Sequence, residues 1–139
     1  GLDKPKLAAD LPVVRALLGR ALALDEDYNR GALHSAFIAV ESVPELLGGS
    51  SSRARVHFDR AVELSEGLDA SPYLALAIGV SLAVQDRAEF ESLLGSALAV
   101  DPEADISVRL VNLVNQKRAR LFLDHVDELF EEPIREEEN

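Results

Sequence analysis

The chain has 139 residues, carries a formal net charge of −11, and contains no cysteine and no methionine. Its length suits one domain that buries a core without disulfides or structural metals, and the missing cysteine excludes a disulfide framework, a thiol nucleophile and a thiolate metal site. The negative charge repels nucleic-acid phosphates and anionic lipid surfaces, so nucleic acid is a poor candidate partner.

Apolar residues, mostly alanine and leucine, recur at helical spacing along the first third of the chain. The first predicted helix runs from about residue 11 to 24, with Asp10 as its N-cap and Pro12 in its first turn. A second helix is predicted from Tyr28 to Val43, and Pro44 ends it.

The same periodicity continues to the end of the apolar sequence. Ser50 to Ser52 supply N-caps for a third helix that ends near Ser65. A fourth helix is predicted from Ser71 to Val84, a fifth from Asp86 to Val100, and a long sixth from about Asp105 to Phe130.

The two ends of the chain differ from this helical region. Residues Glu131 to Asn139 contain five Glu and one Pro, so we predict a disordered acidic tail behind a single domain at residues 1–130. Because the chain starts at Gly1 without Met, we expect it to be the C-terminal part of a longer, processed precursor. The most apolar stretch, Tyr73 to Val84, is too short for a membrane span.

An internal repeat organises the predicted helices into pairs. Similar segments close the first helix of each pair: Arg20–Asp25, Arg60–Ser65 and Ser96–Asp101. Ala54, Phe58 and Ala61 follow the A-x3-F-x2-A pattern of tetratricopeptide repeats, and Pro102 takes the position of the repeat's proline. The predicted fold is therefore all-α, a tetratricopeptide-like α-α superhelix of antiparallel helix pairs.

A more distinctive set of residues accompanies this repeat. In chain order it comprises Ala23-Leu24-Asp25, Gly31-Ala32-Leu33-His34, Glu41, Leu47-Gly48-Gly49-Ser50, Arg53-Ala54-Arg55-Val56-His57-Phe58, Ser71-Pro72-Tyr73, Gln85-Asp86-Arg87-Ala88-Glu89-Phe90, Ala97–Pro102 and Asn112–Arg120. Over roughly residues 17 to 130, the chain resembles the T component associated with TRAP transporters.

This resemblance implies a periplasmic, often lipid-anchored accessory protein that partners the solute-binding P subunit of the transporter. It also implies a homo-oligomer, with a trimer among the candidates, and no catalytic residues or cofactor. The family usually carries a signal segment and a further N-terminal helix upstream, so a lipid anchor is expected on the full-length precursor. A small organic acid is a candidate ligand.

The last predicted helix carries a polar stripe that is our preferred contact surface. Arg109, Asn112, Gln116 and Arg120 are spaced by three, four and four residues, which keeps them on one helix face. The two arginines can pair with an organic carboxylate or with an acidic patch on a partner. The alternative, a merely solvated helix face, is about as well supported by the sequence.

Other polar residues are weaker candidates for binding. His34 and Glu41 lie seven residues apart on nearly one helix face, but a structural role within the repeat is favoured over ligand contact. Tyr73 is a candidate groove residue, although packing between repeats is favoured. His125 and Glu128 could supply only two metal ligands, so no metal site is predicted.

The sequence supports a binding protein better than an enzyme. It contains no G-x-S-x-G, H-E-x-x-H or nucleotide fingerprint, and Gly48 to Ser50 lack the Lys-Ser/Thr of a phosphate loop. The leading hypothesis is a non-enzymatic accessory component of a TRAP-type system. The alternative is a generic tetratricopeptide adaptor that binds a peptide or protein partner, and an all-helical enzyme is a third, weaker hypothesis.

Overall fold

The computed structural model describes residues 4–132, and every regular element within them is helical. The helices are α1 (Lys4–Leu24), α2 (Ala32–Glu41), α3 (Ser51–Leu64), α4 (Ser71–Leu76), α5 (Arg87–Ala99), α6 (Arg109–Asp124) and α7 (Val126–Leu129). A π-helical segment, Ala77–Ser81, continues α4, and short 3-10 turns stand at Tyr28–Arg30, Glu45–Leu47 and Ile106–Val108. The all-α prediction is confirmed.

Helices that follow each other in the chain pack together, and α4 lies at the centre. Within the predicted pairs, α1 contacts α2, α3 contacts α4, and α5 contacts α6. Between pairs, α2 contacts both α3 and α4, and α4 contacts both α5 and α6. This order of contacts is compatible with a superhelix of helix pairs.

Two apolar clusters form the core. The larger joins α4, α5, α6 and α7 around Phe90, whose ring stands edge-on to Phe122 and Phe130 at centroid distances of 6.1 and 5.1 Å. The smaller joins α2, α3 and α4 around Ile38. Ala61 and Ala97, two of the repeat alanines, are buried, as expected for small residues where helices approach closely.

The first two predicted helices have different boundaries in the structure. The first helix, α1, begins at Lys4 rather than Leu11, so Asp10 and Pro12 lie inside it and Asp10 is not its N-cap. Alanine and leucine residues are frequent on both sides of Pro12 and favour the helix despite its missing main-chain hydrogen bond. The second helix starts only at Ala32, because Gly31 adopts a left-handed φ of 90°. A Cβ on Gly31 would lie 3.0 Å from the Cβ of Leu64, so the chain crosses α3 closely there.

The later boundaries agree better with prediction. Ser50 and Asp86 cap α3 and α5 by accepting hydrogen bonds from the main-chain N–H groups of Arg53 and Glu89. The long sixth helix is interrupted at His125, which has a φ of −112° and separates α6 from α7. The tail prediction falls mostly on residues 133–139, outside the described residues.

Among the described residues, no helix combines the length and the apolar character that a membrane span requires.

Candidate functional site

The predicted polar stripe on α6 is divided between the interior and the surface. Asn112 is fully buried; its Oδ1 accepts a hydrogen bond from the main-chain N–H of Ala70 and its Nδ2 donates to the carbonyl of Leu68, each at 2.8 Å. This amide therefore fastens the connection between α3 and α4 to α6.

Gln116 has a similar role about one helical turn further along α6. Its Nε2 lies 3.2, 3.4 and 2.7 Å from the carbonyl oxygens of Ala97, Leu98 and Val100, where α5 ends and its carbonyls lack helical partners. The four stripe residues therefore do not form one exposed surface. Arg109 and Arg120 remain exposed, and Arg109 pairs with Glu103 at 2.6 Å.

Because its amides point inward, α6 turns apolar side chains outward. Leu110, Val114 and Leu121 are 74%, 51% and 60% exposed. Together with Leu113 and Lys117 they occupy one side of the helix, which we name the α6 outer face. The sequence contained a signal for this arrangement: Asn112, Asn115 and Gln116 have the i, i+3, i+4 spacing of a buried face.

The charges near this face differ from those of the rest of the molecule. Most arginines of the described residues pair with a carboxylate, for example Arg55 with Glu89 at 3.0 Å. Lys117, Arg118 and Arg120 have no carboxylate within 4.0 Å among the same residues. The outer face of α6 is thus apolar, with Lys117 within it and the exposed Asp124 at its C-terminal end.

His34 lies in a hydrogen-bonded cluster between α2 and α3. Its Nε2 is 3.0 Å from the Oε1 of Glu26, and its Nδ1 is 2.8 Å from the Nδ1 of His57. A carboxylate only accepts hydrogen bonds, so the Nε2 of His34 donates to Glu26, whereas the direction of the bond between the two Nδ1 atoms depends on the protonation of the rings. Phe37 stacks on the ring of His57 at a centroid distance of 4.6 Å.

The electrostatics of this cluster follow from its partners. Hydrogen bonds from Arg60 and then from His34 lower the pKa of Glu26 to about 2. Burial, followed by the charge of nearby His34, lowers the pKa of His57 from its ordinary value of 6.5. The cluster therefore favours a charged Glu26 and a neutral His57, and it connects the residues before α2 to α3.

Glu41 is enclosed by two arginines from neighbouring elements. Only 2% of Glu41 is exposed, and its carboxylate pairs with Arg15 of α1 and with Arg53 of α3, the latter at 3.0 Å. Both guanidinium groups also donate to the carbonyl of Gly48. Burial raises the pKa of Glu41, but the hydrogen bonds from Arg53 and Arg15 outweigh it, so the pKa lies below its ordinary value.

The remaining candidates lie apart from one another. Tyr73 packs against the larger core and stands edge-on to Phe58 at a centroid distance of 5.6 Å. His125 is exposed, and its Nδ1 lies 3.0 Å from the carbonyl of Leu121. Among the described residues, no group of three or more His, Asp or Glu side chains could hold a metal ion. His34, Glu41 and Tyr73 thus contact neighbouring helices of their own chain.

The packed helix pairs form an all-helical scaffold on which the outer face of α6 is exposed. The chain matches the family described as TRAP transporter T-component over residues 1–130, and it belongs to that family. It is also 30% identical over 115 residues to an uncharacterized protein of Treponema pallidum (strain Nichols). That alignment covers 82% of the chain and 36% of the relative, so the chain spans about a third of the relative's length.

Proposed function

We propose that this chain is a non-enzymatic accessory component of a TRAP-type transport system and binds the solute-binding P subunit through the α6 outer face. Family membership supports the assignment to the transport system. The observation that carries the choice of surface is the orientation of α6, which buries amides and exposes leucine and valine.

An exposed apolar helix face is the feature that most often marks a contact surface. An amphipathic helix on a globular protein normally turns its apolar side chains toward the core, and exposed apolar patches mark interaction sites. Leu110, Val114 and Leu121 are therefore the proposed anchors, since they lie along the middle of the face and a few central residues carry most of the binding energy of an interface.

Two cationic side chains near these anchors suit acidic groups on a partner surface. Lys117 lies within the outer face and Arg120 lies at its border, and neither has a carboxylate partner among the described residues. We expect the P subunit to present an apolar surface with carboxylates at its rim, because complementary charges direct encounter and fix register.

The same family membership supports a periplasmic protein that is lipid-anchored in its full-length precursor and self-associates. Because the outer face of α6 is assigned to the P subunit, we assign self-association to α1, where Val13 and Leu17 are 58% and 67% exposed. Light scattering of the purified protein and of Leu17→Asp tests this assignment. A monomer at all concentrations, or an oligomer that Leu17→Asp leaves intact, would contradict it.

Calorimetric binding of the purified chain to the P subunit of its own system tests the proposed surface. We expect saturable binding that Val114→Asp weakens at least about tenfold, equivalent to about 1.4 kcal/mol. Val56→Asp is the matched control, because Val56 is also exposed but lies on α3. Equal binding by both variants would contradict the proposed surface, and no binding by the folded chain would favour the peptide-adaptor alternative.

A further inference from the structure

The contact between His34 and His57 can persist only while one of the two rings is neutral. Their Nδ1 atoms lie 2.8 Å apart, and a hydrogen bond between two nitrogens needs one N–H and one lone pair. A protonated His34 carries an N–H on both nitrogens, so it then needs the unprotonated Nδ1 of His57. When both rings are protonated, two N–H groups face each other and the hydrogen bond is lost.

The charged groups that face His57 come from three helices. Glu41 and His34 face it from α2, Arg15 faces it from α1, and Arg53 faces it from α3, the helix that carries His57 itself. Glu41 is the carboxylate in this set, and it already pairs with both arginines. A proton on His57 would therefore add a cation to a site where several cations share one carboxylate.

Of these three helices, α1 packs least deeply. None of its residues from 9 to 24 is buried, whereas α2 buries Phe37 and Ile38 and α3 buries Ala54 and Ala61. An element with few buried apolar contacts opens locally at a low free-energy cost. Repulsion among the three helices is therefore relieved most easily by movement of α1.

Arg15 attaches α1 to this charged site. Its guanidinium pairs with Glu41 and donates to the carbonyl of Gly48 at 3.1 Å. Arg53 makes the same two contacts from α3. Glu41 and Gly48 therefore keep a hydrogen-bond donor when Arg15 leaves, which lowers the cost of releasing α1.

A second attachment lies just beyond the C-terminal end of α1 and resists acid. Glu26 accepts hydrogen bonds from His34 and from Arg60, the latter at 2.6 Å. Hydrogen bonds from Arg60 and then from His34 lower the pKa of Glu26 to about 2. In mild acid Glu26 stays ionised and a protonated His34 still donates to it, so this end of α1 remains attached.

We propose that the pair of His34 and His57 is an acid-sensitive latch for α1. While His57 is neutral, the pair is intact and Arg15 stays on Glu41. When both rings are protonated, the charge on His57 displaces Arg15, and α1 moves away from α2 about its attached C-terminal end. The inference does not depend on the proposed function, because the latch lies among α1, α2 and α3, whereas the P subunit is assigned to the outer face of α6.

Hydrogen–deuterium exchange of the intact chain tests the proposal, with rates corrected for the intrinsic effect of pH to give protection factors. Burial, followed by the charge of His34, lowers the pKa of His57 from 6.5, so the comparison is between about pH 7.5 and about pH 5. We expect the protection of α1 amides to fall at least about fivefold in acid relative to that of α5 amides, because α5 lies outside the latch.

Two variants and a matched control assign this effect to the latch. His57→Asn removes the titration of residue 57, so the protection of α1 should be the same at both pH values. Arg15→Gln removes the displaced cation, so it should lower the protection of α1 at both pH values and reduce its pH dependence. His125→Asn is the matched control, because His125 is exposed at the end of α6, and it should keep the pH dependence of the wild type.

Three results would overturn the proposal. The first is a protection of α1 in the wild type that does not change with pH. The second is an equal loss of protection in α1 and α5, which would indicate unfolding of the whole chain rather than release of α1. The third is an unchanged pH dependence in His57→Asn.

Discussion

At the scale of single residues, buried amides supply the polar bonding between α6 and its neighbours. Asn112 accepts a hydrogen bond from a main-chain N–H and donates one to a main-chain carbonyl in the segment that leads into α4. Gln116 donates hydrogen bonds to carbonyls at the end of α5. Leaving a buried polar group without a hydrogen-bond partner destabilises the folded state, so these side chains contribute to the stability of the fold.

Asn112→Ala should lower the free energy of unfolding by about 1–3 kcal/mol, because the N–H of Ala70 and the carbonyl of Leu68 would lose their partner. Asn112→Asp should lower it further, because a carboxylate would face the carbonyl of Leu68. Urea unfolding measures both. Arg120→Ala is the control and should change the value by less than about 0.5 kcal/mol. A similarly small effect of Asn112→Ala would contradict the structural role.

The pH dependence of stability should report on His57. Its pKa is lowered in the folded chain, so between that value and 6.5 the unfolded chain binds more protons. The contribution of His57 is therefore complete above about pH 6.5 and is lost as the pH falls below it. His57→Asn retains an amide that can bond to His34 in either direction and removes the titration of residue 57, so its urea-unfolding curves should depend less on pH than those of the wild type between about pH 7.5 and 5.5. Equal pH dependence would contradict the lowered pKa.

Residue roles could be predicted only incompletely, because most partners are distant in sequence. The spacing of His34 and Glu41 favours structural roles over ligand contact, and both side chains bond to neighbouring elements of the chain. The spacing could not name Arg15 or His57, which reach these side chains from other helices. The sequence places Asn112 and Gln116 at the surface, because a polar stripe usually faces solvent. Their main-chain partners appear only once the helices pack.

At the scale of elements, two glycines differ in how closely a neighbouring helix approaches them. A Cβ at Gly79 would meet the Cβ of Ser42 at 2.7 Å, whereas nothing lies within 4 Å of a Cβ at Gly95 in α5. The same substitution should therefore have opposite effects at the two positions.

Gly79→Ala should destabilise the chain by about 1–3 kcal/mol through overpacking. Gly95→Ala should stabilise it by about 0.5–1 kcal/mol, because alanine is favoured over glycine within a helix. Combining Gly79→Ala with Ser42→Gly should restore some of the loss. Thermal and urea unfolding measure these values. Destabilisation by Gly95→Ala, or no effect of Gly79→Ala, would contradict the described packing.

Element type was more predictable than element boundaries. N-caps such as Ser50 and Asp86 act locally, so α3 and α5 begin where the sequence indicates. The start of α2 depends on the close crossing of Gly31 over Leu64, which is a tertiary contact. The helix break at His125 could not be predicted, because no glycine or proline lies next to it in the sequence.

At the scale of the whole molecule, the repeat spacing and the family resemblance predicted the all-α class and the family correctly. Neither predicted which face of α6 is exposed, because that depends on the orientation of α6 about its own axis against α4 and α5. In the structure Asn112 faces the interior and Leu110 faces outward. The contact surface that we propose therefore lies on the predicted helix but on a different face from the predicted stripe.

Site-specific labelling tests this surface most directly. The chain contains no cysteine, so a single introduced thiol reports on one position. In Val114→Cys, maleimide labelling should slow at least tenfold when the P subunit is saturating. In Val56→Cys, the labelling rate should stay unchanged. Equal labelling rates at Val114→Cys with and without the bound P subunit would contradict the assignment of the α6 outer face as the contact surface.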